Sequence, residues 1–124
     1  MTNKNPEFGQ HIAMDLVKQE NGEAEVELTV EDYHLNSQKI AHGGVLLAMM
    51  DLAMGAAASS LGGSVVTMDL HYRFFRPARR GECICAKGKV LKKGDTIIVT
   101  KGTMFSEGQI LGEASGQFFR RKAE

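Results

Sequence analysis

The sequence lacks tryptophan, contains few aromatic residues of any kind, and has no excess of one charge. Aromatic residues make up 6% of its 124 residues, and fifteen lysines and arginines balance fifteen aspartates and glutamates. A balanced charge gives no general attraction to nucleic acid or anionic lipid. Together with the scarcity of aromatic side chains, this balance argues against a nucleic-acid-binding module.

Cysteine is also scarce, since Cys83 and Cys85 are the only two. They lie two residues apart in a predicted strand, so their side chains point the same way, and neighbours this close rarely form an unstrained disulfide. No second pair of cysteines or histidines has zinc-ligand spacing. We therefore expect two free thiols and no metal. Free thiols, with no signal pattern at the amino terminus, predict a cytoplasmic protein.

Several familiar motifs are missing as well. The sequence has neither a phosphate-binding glycine loop nor a G-x-S-x-G nucleophile motif. No repeat, linker or low-complexity tract divides the chain, and its length is near the commonest domain size. We expect one domain spanning residues 1–124.

Charge is nearly absent around Asp51. Between Lys39 and Asp69 the only ionisable side chains are His42 and Asp51. An ionised carboxylate in such apolar surroundings is costly unless it is paired or hydrogen-bonded, so Asp51 is a candidate catalytic acid or base. The alternative is a buried acid that backbone donors or a partner across an interface satisfy.

The apolar run that contains Asp51, residues 45–61, predicts a buried helix because it is apolar on nearly every side. The run is only marginally long for a membrane span. A carboxylate near the middle of a span would also cost about 3 kcal/mol. We therefore prefer the buried helix.

Two glycines, Gly43 and Gly44, follow His42 where this helix is predicted to begin. Free backbone N–H groups there, aided by the helix dipole, form a site for an anion or a carbonyl oxygen. His42 and Asp51 are nine residues apart, which is about half a turn out of phase on a helix. The two side chains of one chain therefore face opposite ways, and a reaction that uses both needs two chains.

Alternating apolar and polar residues predict strands on both sides of the helix. A first hairpin is expected near residues 12–30, with a type I′ turn at Asn21-Gly22. Four strands in a meander are expected after the helix, near residues 66–74, 82–91, 95–106 and 109–119. A helix that is apolar all round must be covered on several sides. The sequence thus predicts an α+β fold, in which a curved antiparallel sheet wraps around one long helix and a second copy covers the rest.

The alternation in the strand at residues 66–74 also predicts which side chains share a face. Val66 and Met68 belong to the apolar face that packs on the core. Thr67, Asp69 and His71 then lie together on the other face, where they line either a pocket or a subunit contact.

Several short motifs follow one another along the chain. They are Asn36-x5-His42-Gly43-Gly44, Asp51 within the helix, Thr67-x-Asp69-Leu70 and Phe75-Arg76-Pro77. This combination resembles the hotdog-fold acyl-CoA thioesterases, in the PaaI-like branch typified by the phenylacetate-pathway enzymes. The resemblance extends from about Gln10 to Phe119, and the motifs are specific only in combination.

The resemblance implies a role for each matched residue. The Gly43 N–H would hydrogen-bond the thioester carbonyl oxygen, with Asn36 as a second donor. Asp51 of the partner chain would be the general base for water, or the nucleophile. Thr67 would orient the water, and His42 would help to place the thioester. Plainer alternatives are a turn residue for Asn36, a helix cap for His42 and an ordinary strand residue for Thr67.

Coenzyme A, as part of the substrate, would be the only cofactor-like group. Arg76, Arg79 and Arg80 would contact its phosphates, or else they are ordinary surface charges. The expected assembly is a homodimer with shared active sites, or a tetramer. Two other functions known for such folds are a non-catalytic acyl-CoA binding or sensing domain and an acyl-thioester hydratase or dehydratase. Short, medium-chain and aryl acyl groups all remain open.

Overall fold

A six-stranded antiparallel sheet curves around one long helix in the computed structural model, which describes residues 7–121. The helix contacts all six strands. The elements are α1 (Glu7–His11), β1 (Asp15–Glu20), β2 (Glu23–Thr29), a 3₁₀ turn (Asp32–His34), α2 (Gly43–Ser59), β3 (Ser64–Phe74), β4 (Cys83–Lys93), β5 (Ile97–Ser106) and β6 (Gln109–Arg121). The predicted fold class is confirmed. No helix within residues 7–121 has the length and apolar character needed to cross a membrane.

The first hairpin is shorter than the sequence predicts. Its turn is as expected, since Asn21 and Gly22 both have positive φ, as a type I′ turn requires. The prediction of a strand at residues 12–14 was wrong because α1 ends there. The Met14 N–H bonds to the carbonyl of Gly9 while Ala13 has a φ of 63°, which is a helix-ending motif rather than extended backbone.

The prediction of a four-strand meander was also wrong, because only the last three of these strands, β4, β5 and β6, are neighbours both in sequence and in the sheet. The strand order is β1-β2-β4-β5-β6-β3, so β3 pairs with β6 and lies at the edge opposite β1. This placement puts sheet on both sides of α2, which an apolar helix needs. Two glycines bring the sheet close to the helix. A Cβ at Gly88 would lie 2.6 Å from the carbonyl of Ala53, and one at Gly102 would overlap the sulfur of Met50.

A β-bulge at Met68 changes the faces of β3. Thr67 pairs with the buried Phe118, and Asp69 pairs with Gln117. Thr67 therefore faces the helix, whereas Asp69 faces outward and accepts a hydrogen bond from the Gln117 amide. The prediction that Asp69 shares the face of Thr67 was wrong, because one inserted residue reverses the alternation.

The same bulge explains which side chains near Met68 are exposed. His71 lies beyond the bulge and is exposed on the outer face. Val66 and Met68, expected on the core, are 51% and 49% exposed. The predicted inward face therefore holds only after the bulge, where Leu70 and Tyr72 pack on the core.

A second bulge, at Val17, lies on the opposite edge strand. Leu16 pairs with Val26 and Gln19 pairs with Ala24, and both of these partners are buried. Leu16 and Gln19 therefore face α2 together although three residues separate them. Both edge strands thus use a bulge to direct a polar side chain, Gln19 or Thr67, towards the helix.

Candidate active site

Asp51 lies half-buried in α2, opposite the inner face of β3. The hydroxyl of Thr67 donates a hydrogen bond of 2.7 Å to Oδ1 of Asp51. Within residues 7–121 the Asp51 carboxylate has no ion-pair partner and no second side-chain hydrogen bond. Oδ2 is therefore available to accept a proton or a hydrogen bond from a molecule in front of it.

An open cleft of about 490 Å³ lies in front of this carboxylate. We call it the carboxylate cleft. Its lining comes from α2, β1, β6 and the first part of β3 with the turn before it. The residues are Leu16, Gln19, Asp51, Leu52, Gly55, Ala56, Ser59, Gly63, Ser64, Val65, Thr67 and Phe118.

His42 caps the start of α2. Its Nδ1 accepts a 2.8 Å hydrogen bond from the Gly44 N–H, which places the ring proton on Nε2 in the neutral form. His42 is therefore a helix cap, which was the plainer alternative for this residue. The Gly43 N–H donates to no group within residues 7–121, so it is the free backbone donor that the sequence predicts there.

A second cleft of about 420 Å³ lies at this helix start. We call it the amide cleft, and its residues are Asn36, Ile40, Ala41, Gly43, Leu46, Phe74, Phe75, Arg76, Pro77 and Ala78. The side-chain oxygen of Asn36 accepts the N–H groups of Gln38 and Ile40, at 2.9 and 3.4 Å. Asn36 is thus a turn residue, which was the plainer alternative for it. Its Nδ2 protons remain available as donors.

A buried histidine that the sequence analysis did not single out holds the loop before α2. His34 Nδ1 accepts the Glu31 N–H at 2.8 Å, and its Nε2–H donates to the Ile12 carbonyl at 2.7 Å. The His34 carbonyl in turn accepts the His42 N–H at 2.8 Å. The Glu31-x-x-His34 spacing, which resembles a capping box, was the available sequence signal.

The two clefts of one chain share no lining residue among those described. Gly43 lies in the amide cleft and Asp51 in the carboxylate cleft. Thr67 lines the same cleft as Asp51, and Asn36 lines the same cleft as Gly43. One chain therefore places the candidate donors and the candidate base apart.

The three arginines of the loop after β3 have different surroundings. Arg76 lines the amide cleft and its guanidinium donates to the side-chain oxygen of Gln109. Arg76 and Arg79 also line a neighbouring cleft of about 280 Å³. Arg80 lines none of these clefts and forms an exposed ion pair with Asp32 at 2.5 Å.

The wall of the amide cleft continues into the core through two aromatic rings. The rings of Phe74 and Tyr72 are 4.4 Å apart, and a Cβ at Gly43 would lie 3.3 Å from Phe74. Within the described chain the buried Tyr72 hydroxyl has no hydrogen-bond partner. Burial raises the pKa of Tyr72 to about 12, so this group remains a neutral phenol.

Neither cysteine lines any of the clefts described above. Cys83 and Cys85 are free thiols, as predicted. Burial, with a contribution from the Glu25 carboxylate, raises the pKa of Cys85 to about 11, so its thiol is not an activated nucleophile. Among residues 7–121 no cluster of three histidine, cysteine or acidic side chains could hold a metal ion.

Comparison with known proteins identifies the family. A family model described as the thioesterase superfamily matches residues 38–113. The acyl-coenzyme A thioesterase PaaI of Escherichia coli is 29% identical over 91 residues, which cover 73% of this chain and 65% of that protein. Acyl-coenzyme A thioesterase 13 of Homo sapiens is 31% identical over 87 residues, which cover 68% of this chain and 62% of that protein.

A solved structure with a similar fold supports this family match. The structure of smu.793 from Streptococcus mutans UA159 bound to acetyl CoA has a TM-score of 0.85 and 25% sequence identity, over 90% of each chain. The family match covers more than half of the chain and confirms the resemblance found in the motifs. The chain therefore belongs to the thioesterase superfamily, as a hotdog-fold thioester hydrolase of the PaaI-like branch.

Proposed function

We propose that this protein hydrolyses an acyl-CoA thioester to a free acid and coenzyme A, with Asp51 as the catalytic carboxylate, working as a single hotdog domain. The observation that carries the proposal is the hydrogen bond from Thr67 to Asp51 inside an open cleft. Two relatives are acyl-coenzyme A thioesterases, and a third protein of the same fold binds acetyl CoA.

The geometry of Asp51 and Thr67 suits the activation of water. Because the Thr67 proton points to Oδ1 of Asp51, the lone pairs of the Thr67 hydroxyl can accept from a water molecule. That water can give its other proton to Oδ2. Its oxygen then forms a bond to the thioester carbonyl carbon while the carbonyl electron pair moves to oxygen. In the nucleophilic alternative, Oδ2 of Asp51 attacks that carbon, the thiolate leaves, and water then hydrolyses the mixed anhydride and supplies the proton that the thiolate takes.

The amide cleft supplies what this reaction needs next. Negative charge develops on the carbonyl oxygen, where the Gly43 N–H and an Asn36 Nδ2–H can stabilise it. The exposed Nε2–H of His42 lies at the same helix start and would help to place the thioester. When the tetrahedral intermediate formed by the attack of water breaks down, its carbon–sulfur bond breaks and the thiolate takes the proton held by Asp51.

Because the two clefts lie apart in one chain, the complete site needs two copies. The edge strand β3 pairs only with β6 within residues 7–121, so its other edge is open to a second chain. We propose a dimer in which Asp51 and Thr67 of one copy face Gly43 and Asn36 of the other. Each dimer then has two equivalent sites.

We also assign the coenzyme A phosphates to Arg76 and Arg79. Arg76 borders the amide cleft, and both arginines line the cleft next to it. Arginine suits phosphate because its planar group donates two hydrogen bonds at once. Arg80 is the weakest of the three candidates because it lines neither cleft.

A thiol-release assay over a panel of acyl-CoA esters tests the proposed function. Asp51→Asn keeps the shape of the side chain and removes the base, so we expect turnover to fall at least about 100-fold. Asp69→Asn makes the same change on the outer face of β3 and should leave turnover unaltered. Equal activity of Asp51→Asn and the wild-type protein on every ester would overturn the assignment. Tight acyl-CoA binding without turnover in the wild-type protein would favour the binding or sensing domain.

A further inference from the structure

The carboxylate cleft extends away from Asp51 along the second half of α2. Asp51, Gly55 and Ser59 follow one another at intervals of four residues, so they lie on one face of the helix. From Asp51 to Ser59 the helix rises by about 12 Å. This elongated open cleft, which we call the channel from here on, therefore begins at the candidate catalytic carboxylate.

The middle of this channel is apolar and kept clear of side chains. Leu16, Leu52 and Val65 contribute apolar surface from β1, α2 and β3. Gly55 has no side chain to fill the space, although glycine inside a helix is unfavourable relative to alanine. A Cβ at Gly55 would lie 3.2 Å from the ring of Phe118 and would narrow the channel.

Gln19 borders the far end of the channel. The bulge at Val17 turns it towards α2, where its Nε2 donates to the Ala56 carbonyl and to Oγ of Ser59, both at 3.1 Å. The Ser59 hydroxyl donates to the same Ala56 carbonyl at 3.3 Å. Both amide protons of Gln19 are thus engaged, and its side chain is held in place.

We propose that this channel holds the acyl chain of the substrate and that Gln19 limits its length. The proposal rests on the thioester hydrolysis inferred above. An extended octanoyl chain is shorter than the distance from Asp51 to Ser59, and an extended dodecanoyl chain is longer. A longer chain has to displace Gln19 from two hydrogen bonds. The substrate class is therefore an unbranched acyl group of medium length, since a long apolar channel suits such a chain better than a compact ring.

The test compares kcat/KM for butanoyl-, octanoyl-, dodecanoyl- and phenylacetyl-CoA, each below its micelle concentration. We expect octanoyl-CoA to be the best substrate of the wild-type protein. Gln19→Ala should raise the dodecanoyl to octanoyl ratio about tenfold, the scale of a small change in an apolar pocket. Gln117→Ala makes the same truncation on the outer face and should leave the ratio unchanged. Gly55→Ala should lower the octanoyl to butanoyl ratio, with thermal melting as the check on folding.

The proposal is overturned if Gln19→Ala leaves the ratio unaltered, if Gln117→Ala shifts it equally, or if phenylacetyl-CoA is the best substrate. Absence of turnover on every ester would overturn the proposed hydrolysis instead. The channel is then judged by calorimetry with Asp51→Asn. Octanoyl-CoA should bind this variant more tightly than butanoyl- or dodecanoyl-CoA, and equal affinities would exclude the channel.

Discussion

The amide cleft and the carboxylate cleft lie beside the same helix but are assembled in different ways. In the amide cleft, hydrogen bonds between residues close in sequence fix both donors, as in the turn that Asn36 forms with Gln38. In the carboxylate cleft, Asp51 meets Thr67 across sixteen residues, through a bulged edge strand. The amide cleft holds the candidate donors, and the carboxylate cleft holds the candidate base.

This difference explains why a second copy is needed. Thioester hydrolysis requires a base on one side of the carbonyl carbon and hydrogen-bond donors at its oxygen. Within one chain the eight residues from Gly43 to Asp51 separate the two groups by about 12 Å of helix rise, and no side-chain movement closes that distance. Each experiment below disables one cleft and measures what the other still does.

The largest effect is expected from combining two defective chains. Asn36→Asp keeps the side-chain oxygen that organises its turn and removes the Nδ2 donor, which should cost about 100-fold to 1,000-fold in kcat. Mixed with Asp51→Asn chains, it should form heterodimers with one intact site and one doubly defective site. Activity should return to about a quarter of wild type for random pairing. Heterodimers verified by mass spectrometry that stay as inactive as their parents would refute the shared site.

A smaller effect is expected from Thr67, which donates to Asp51 and, in the proposed mechanism, accepts from the attacking water. Thr67→Val keeps the shape and removes the hydroxyl, so kcat should fall about tenfold to 100-fold, the usual value of a hydrogen bond to a charged group. Thr67→Ser keeps the hydroxyl and should retain most of the activity. If Thr67→Val worked as well as the wild-type protein, Asp51 would orient water without this hydrogen bond.

The smallest effect concerns stability at the amide cleft. His42→Ala removes the cap on Gly44, so the free energy of unfolding should fall by about 1 kcal/mol and Tm by about 4 °C. His42→Asn provides a good capping residue and should restore most of this loss. Asp51→Asn makes no comparable change in helix capping and should melt close to wild type. Identical melting of His42→Ala and wild type would mean that this cap contributes nothing to stability.

Much of the amide cleft was predictable because its signals are local. The His42-Gly43-Gly44 sequence predicted a helix start with a free N–H. The nine residues from His42 to Asp51 predicted that these two side chains lie on opposite sides of the helix. The type I′ turn at Asn21-Gly22 is equally local, since two residues that tolerate positive φ suffice to specify it. His34 was missed because its two ring hydrogen bonds depend partly on α1, which the sequence analysis did not predict.

By itself the sequence determined the long apolar helix, its start, the lone carboxylate within it and the need for cover on all sides. These follow from spacing and composition along one stretch of chain. Only the tertiary structure decided that β3 pairs with β6, and that bulges at Val17 and Met68 turn Gln19 and Thr67 towards the helix. A bulge is a mismatch between two paired strands, so one strand's alternation does not reveal it. For that reason the prediction that Thr67 and Asp69 share one face of β3 was wrong.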